Sequence, residues 1–430
     1  MNRRHLLYSF LATLGVLTVA MGVLTPWQPL GEGAGGVLPD LSASFSAGEI
    51  ARAASFRSDL AAWPYLGIAL VVAVPWVVLV ASARSARLRA WSTEARGISR
   101  SALILAVVLV VALLQRVVSA PTSVHSEVVL RRFGLSTQDW SAWLGDQALA
   151  LALACSVSSI GIALALWLVR RAPTRWPWLL AGGAALVTVL GSLVYPIVVE
   201  PAFNAHTPLS DGPLRQRVER LVAAEGFADV RVAVSNASIR TTGENAHVSG
   251  FGATRWMVLN DTLVARARTD PDAVVAVVAH ELGHVKHHDV LRGTSIGAVG
   301  VGAFVLLLAL ALTTSRGQRI FQTDRSGDLV RGVVFILAVA TTAPYVAAPI
   351  SNLISRRIEA RTDVYALQAT GNVPAFIRTQ HDLATSNLSR LDPSRWQTMM
   401  FATHPDPVWR IAQARTWQRE QREQREKPDR

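Results

Sequence analysis

The chain has one cysteine and two lysines among 430 residues, and only 17% of its residues are charged. Cys155 alone excludes an intrachain disulfide, and its place inside an apolar run argues against thiol chemistry. A charged fraction well below the roughly 25% of soluble domains argues against two or three soluble domains in series. Lys286 and Lys427 being the only lysines, the net charge of +12 is arginine charge. Those arginines sit in short segments between apolar runs, not on a face interleaved with aromatics, which excludes nucleic acid as a partner.

What the chain has instead is length of hydrophobic run. Seven stretches approach or reach the ~20 residues needed to cross a hydrocarbon core: Leu6–Leu24, Tyr65–Ala83, Ser101–Ala120, Ala148–Val169, Trp176–Val199, Gly293–Leu312 and Gly332–Ile350. Gln115 and Arg116 interrupt the third, and Pro344 and Pro349 lie in the seventh. The first could be read as a cleaved signal peptide, but no small-residue cleavage site follows it. The expectation is a mainly α, integral-membrane seven-helix bundle carrying a small peptidase domain with a β-hairpin or sheet.

Organisation follows from that. Residues 1–199 hold five spans, 200–289 a polar catalytic region, 290–350 spans six and seven, 351–412 a second catalytic region and 413–430 a charged tail. Residues 26–60 read as a loop ending in a short helix. Within the polar region, Leu214–Glu225 has helical apolar spacing, Val230–Val234 alternates like a strand, and Asn245–Gly252 with Arg255–Leu259 read as a hairpin. Asp272 leads into a helix that runs toward span six.

That helix carries His280-Glu281-Leu282-Gly283-His284. Residues four apart share a helix face, so both imidazoles can bind one ion. Zinc suits two imidazoles and a carboxylate with one position left for water, and Glu281 is placed to take that water's proton. A third ligand must come from elsewhere. His284 precedes span six by nine residues, and Glu359 follows span seven by nine. Two crossings return the chain to the same face, and at 1.5 Å per residue each lies about 13 Å beyond its apolar run. Asp363, one turn after Glu359, can fix a ligand imidazole's tautomer.

Further motifs give the pattern a resemblance. Arg132-Phe133-Gly134-Leu135-Ser136-Thr137-Gln138 with Trp143-Leu144-Gly145-Asp146-Gln147, Pro201-Ala202-Phe203-Asn204 with Thr207-Pro208-Leu209, and Asn245-Ala246-His247-Val248-Ser249-Gly250-Phe251-Gly252 with Val258-Leu259-Asn260-Asp261-Thr262-Leu263 are similar to stretches of the type I CAAX prenyl endopeptidases. These are seven-span zinc proteases of the gluzincin group, and the likeness runs from about Arg131 to Arg410. It implies Glu359 as third zinc ligand, Asp363 behind a ligand histidine, and Asn245, Ala246 and His247 in a substrate-binding edge. It implies His404 as donor to the tetrahedral oxyanion, with Arg410 close by. The chain departs from the family at Val285, Ala360 and Asp406, none of them a catalytic group.

The function so implied is a membrane zinc metalloendopeptidase with one Zn2+ per chain, acting on a peptide or protein substrate that is prenylated or otherwise membrane-associated, at the lipid bilayer. Quality control of misfolded membrane proteins would use the same chemistry. A catalytically silent transporter or receptor expects polar residues within the spans, and spans two, four and six are nearly pure apolar. Two arguments disagree on which face holds the site in the cell membrane. Segments 1–4, 84–100, 170–175 and 314–331 hold fourteen Lys/Arg, against four in 25–64 and 121–147. That bias predicts a cytoplasmic N-terminus and an extracytoplasmic site, whereas the resemblance implies a cytoplasmic one.

Overall fold

The computed structural model describes residues 2–29, 39–84, 100–227, 230–314 and 326–426. Among them, seven helices are long and apolar enough to cross a membrane: Arg3–Leu24, Ala47–Ser82, Ser101–Arg132, Trp140–Arg171, Trp176–Phe203, Asp289–Leu312 and Leu329–Thr370. Each overlaps one of the seven apolar runs, the second stopping one residue short of Ala83, and most outrun their run at one end. Span two starts early because Ser46 and Glu49 cap the helix Ala47–Leu60 reciprocally, before a break at Ala61 and a fresh start at Trp63. The polar pair in span three is absorbed by its neighbours. Gln115 donates to the Val71 carbonyl of span two at 2.7 Å, and Arg116 to Gln147 Oε1 of span four at 2.7 Å.

Span seven belongs to a continuous 45-residue helix, Ser326–Thr370, with both prolines inside it. At 1.5 Å per residue that is about 67 Å, more than twice the hydrocarbon core. Its far end therefore stands outside the apolar zone, carrying Glu359 and Asp363. Most of the basic segments 84–100 and 314–331 lies outside the described residues. The two less basic segments on the opposite side do touch the catalytic lobe: Arg57 donates to the Leu388 carbonyl, and Arg240 pairs with Asp146.

The lobe is a four-stranded sheet against a helix. The strands are β1 (His206–Pro208), β2 (Arg231–Ser235), β3 (Ala246–Ser249) and β4 (Trp256–Asn260), in the order β1-β2-β4-β3. β2 and β4 run parallel and β3 lies antiparallel on β4, at the sheet edge. The hairpin forms with a shorter first strand, because Gly250 turns at φ 69° and any Cβ there would fall 2.4 Å from the Thr254 carbonyl oxygen. β1 carried no alternation and was not anticipated.

Met257, Leu259 and Leu263 are fully buried against Val274, Val278 and Leu282 of the site helix, Pro271–Lys286. Each such side chain contributes about 1.5–3 kcal/mol. The cap of that helix is Asp270, which accepts from the Ala273 N–H at 3.0 Å, and not Asp272, which pairs with Arg217. At the other end of the chain one helix, Pro407–Glu426, crosses the boundary drawn at 412.

Candidate active site

Three elements meet at the site: the site helix, the outer part of span seven and the loop before Pro407. The helices approach closely because Gly283 has no side chain; a Cβ there would lie 2.6 Å from Thr362 Cγ2 and 3.2 Å from Tyr365 Cδ1. This close approach brings His280 Nε2 to 3.2 Å from Glu359 Oε2, and His284 Nε2 to 3.5 Å from Glu359 Oε1. One ligand atom from each of the three residues lies within 4.8 Å of the others. A tetrahedral ion with bonds of 2.0–2.1 Å separates its ligands by roughly 3.3–3.4 Å, so the donor set fits.

Both imidazoles have their other nitrogen engaged. His280 Nδ1 lies 2.9 Å from Asp363 Oδ1, and His284 Nδ1 lies 3.1 Å from Asp289 Oδ2. With Nδ1–H donating to a carboxylate, each Nε2 presents its lone pair to the cleft. Each aspartate is in turn held by an arginine: Asp363 by Arg410 through two bonds of 2.8 and 2.5 Å, Asp289 by Arg361. Burial alone would disfavour a charged His280, yet Asp363 and Glu359 outweigh it and push its pKa up to about 10. For His284, burial is likewise outweighed by Asp289, Glu359 and Glu281. These are the electrostatics of a cation site.

His404 reaches the same place, its Nε2 3.4 Å from Glu359 Oε2 and its Nδ1 2.9 Å from the Thr403 hydroxyl. Burial, with Arg410 and His280, outweighs Glu359 and holds its pKa below the ordinary imidazole value. In the tautomer where the Thr403 hydroxyl donates to Nδ1, the ring proton sits on Nε2. Glu281 is 5% exposed, and its Oε2 is buried with no hydrogen-bond partner among the described residues. Ala246 is buried in β3, and Asn245 stands exposed just before it. His247 is the residue least free for a substrate, because its Nε2 is held 2.7 Å from Glu200 Oε1.

Sequence reasoning passed over Asp289 and Arg361. On an unbroken helix a residue five beyond His284 would point well away from it. The chain instead turns at His288 (φ 53°, ψ 40°) and starts span six at Asp289, which folds the carboxylate back to the imidazole. Two histidines followed by an aspartate were the only available signal.

A polar lobe with a buried two-histidine, one-glutamate cluster, mounted on seven membrane-spanning helices, defines a multi-pass membrane metalloprotease. The chain belongs to peptidase family M48: residues 208–418 match that family, and residues 64–205 match the five membrane helices of the CAAX prenyl protease N-terminal family. It is 25% identical over 422 residues to an uncharacterized metalloprotease of Bacillus subtilis, YhfN, covering 94% of this chain and 96% of that one. It is 27% identical over 317 residues to CAAX prenyl protease 1 of Saccharomyces cerevisiae, covering 69% of each. The crystal structure of S. mikatae Ste24p has the same fold, with a TM-score of 0.72 at 21% identity over 96% of this chain and 99% of that one.

Proposed function

We propose that the protein is a zinc metalloendopeptidase that cuts substrates at the membrane surface, with His280, His284 and Glu359 holding one Zn2+. The observation that carries this reading is Glu281 Oε2, buried next to the ligand set without a partner. An unpaired buried oxygen costs about 1–3 kcal/mol, and a water poised for attack would satisfy it. Two imidazoles and one carboxylate are a donor set zinc favours. Zinc there would polarise the scissile carbonyl and acidify the attacking water.

The chain's own residues do the rest. Glu281 takes the water's proton and returns it to the departing amine nitrogen. His404 donates Nε2–H to the developing oxyanion, an interaction typically worth about 3 kcal/mol. Arg410 acts through Asp363, keeping the His280 tautomer fixed. An extended substrate adds to the outer edge of β3, which pairs with β4 on one side only. Asn245, Ala246 and the His247 main chain then supply the contacts, since the His247 ring is committed to Glu200. The relatives named CAAX prenyl protease support a C-terminal, CAAX-type lipid-modified substrate.

Glu281→Gln tests the mechanism. The amide cannot accept a proton, so peptide cleavage should fall by about 10²–10⁴-fold while elemental analysis still finds one zinc per chain. Cleavage near the parent rate would overturn the assignment.

A further inference from the structure

We propose that the cavity beside His404 receives the free C-terminal carboxylate of the substrate, held by Arg57 and Arg390; this rests on the peptidase reading of the same site. The cavity is about 580 Å³, the size of a ligand pocket. One wall is Arg57, Tyr65 and Ile68, where span two begins, and the other is Arg390, Phe401 and the His404 loop. His404, whose Nε2 lies 3.4 Å from Glu359 Oε2, is part of the cavity's lining.

Its charge is what singles it out. Four other half-buried arginines of the lobe meet carboxylates: Arg240 meets Asp146, Arg266 meets Glu244 and Asp382, Arg361 meets Asp289, and Arg410 meets Asp363, while Arg356 is held by the Thr398 and Ala402 carbonyls. Arg57 and Arg390 meet none among the described residues, and they lie close enough to repel one another. Arg57 has one protein bond, from Nη2 to the Leu388 carbonyl at 2.8 Å, and its Nε is buried without a partner. The single carboxylate on the cavity wall, Asp406, is engaged in accepting the Trp409 N–H at 2.8 Å.

Two guanidiniums without counter-ions beside apolar walls fit a ligand with one anionic end and apolar flanks. A peptide whose scissile bond lies a few residues from its terminus has that form. A lipid phosphate shares the anionic chemistry, since span two enters the membrane here. The peptide end is favoured because His404 lines the cavity, and the scissile bond must lie beside that residue.

The test compares two peptides, identical except that one ends in a carboxylate and the other in an amide, each with its scissile bond three residues from the end. Binding is read by fluorescence anisotropy on full-length Glu281→Gln protein in phosphatidylcholine nanodiscs, so it does not depend on turnover. The acid should bind about tenfold more tightly, the size of one charge-assisted bond. Arg390→Gln and Arg57→Gln, each added to that background, should bring the acid down to the amide's affinity and leave the amide's unchanged. Equal binding of acid and amide to the parent would overturn the proposal, as would equal losses for both peptides. Replacing part of the lipid with phosphatidylglycerol gives the third arm. Loss of acid binding there would mean the cavity belongs to lipid phosphate and would also overturn it. If the acid preference stands and no variant of any kind cleaves, the peptidase reading fails and this one does not.

Discussion

His280 and His284 sit one helical turn apart, yet each draws its support from a different part of the chain. Behind His280 stands Asp363, fully buried on span seven and clamped by Arg410 from the last helix, 47 residues further along. Behind His284 stands Asp289, five residues on, held by Arg361 from span seven. The first support joins three distant segments, and the second secures a local turn between the site helix and span six. Both give a ligand imidazole the same tautomer. One of them also holds the lobe together, whereas the other mainly sets how span six leaves the site.

Removing the distant support should therefore do the most damage. Asp363→Ala leaves Arg410 buried and uncompensated, its side chain only 12% exposed. Breaking such a pair costs about 3–5 kcal/mol, so the thermal midpoint should drop sharply even with metal in excess. A midpoint within a degree or two of the parent's would remove the distinction between the two supports. Asp289→Ala is the next step down. The His284 tautomer is released, and zinc affinity should fall about 10–100-fold. Arg361 is buried almost as deeply as Arg410, at 15% against 12% exposed, but Asp289 secures only the local turn into span six, so most of the fold should survive. Chelator competition against circular dichroism separates the two variants: the first loses fold and metal, the second metal alone.

How legible this site was in the sequence depended on the kind of contact. The two histidines and Glu281 follow from helix periodicity, since four residues make one turn. Glu359 followed from counting crossings, because nine residues of helix on either side of two spans reach equal depth. Asp363 needed only the next turn of the same helix. Asp289 depended on a left-handed residue at His288; histidine is enriched in that conformation, but His287 and His288 stand side by side and the sequence alone does not say which of them turns. The spans were readable from composition, but their ends were not. Ser46 and Glu49 extend span two, and the long helix of span seven carries polar residues that the apolar run excludes. The pair formed by Gln115 and Arg116 weakened the reading of span three, yet it is the pair that bonds that span to spans two and four.

The smallest effect should come from Arg361→Gln, which tests whether the local support needs its arginine at all. Asp289 keeps its bond to His284 in this variant, so the tautomer is still fixed. It also lies in the first turn of span six, where the helix N-terminus favours a negative charge by about 0.3–1 kcal/mol without any arginine. Glutamine retains a donor that can reach the same carboxylate. Zinc affinity should fall less than tenfold, below the loss expected of Asp289→Ala, and kcat at saturating zinc should stay at the parent value. The measurement is competition with a chelator of known affinity, run beside Arg410→Gln on the distant support. If Arg361→Gln loses as much zinc as Asp289→Ala, the arginine and the aspartate act as one unit and the local support is as cooperative as the distant one. If it loses nothing, the helix terminus alone holds Asp289 in place.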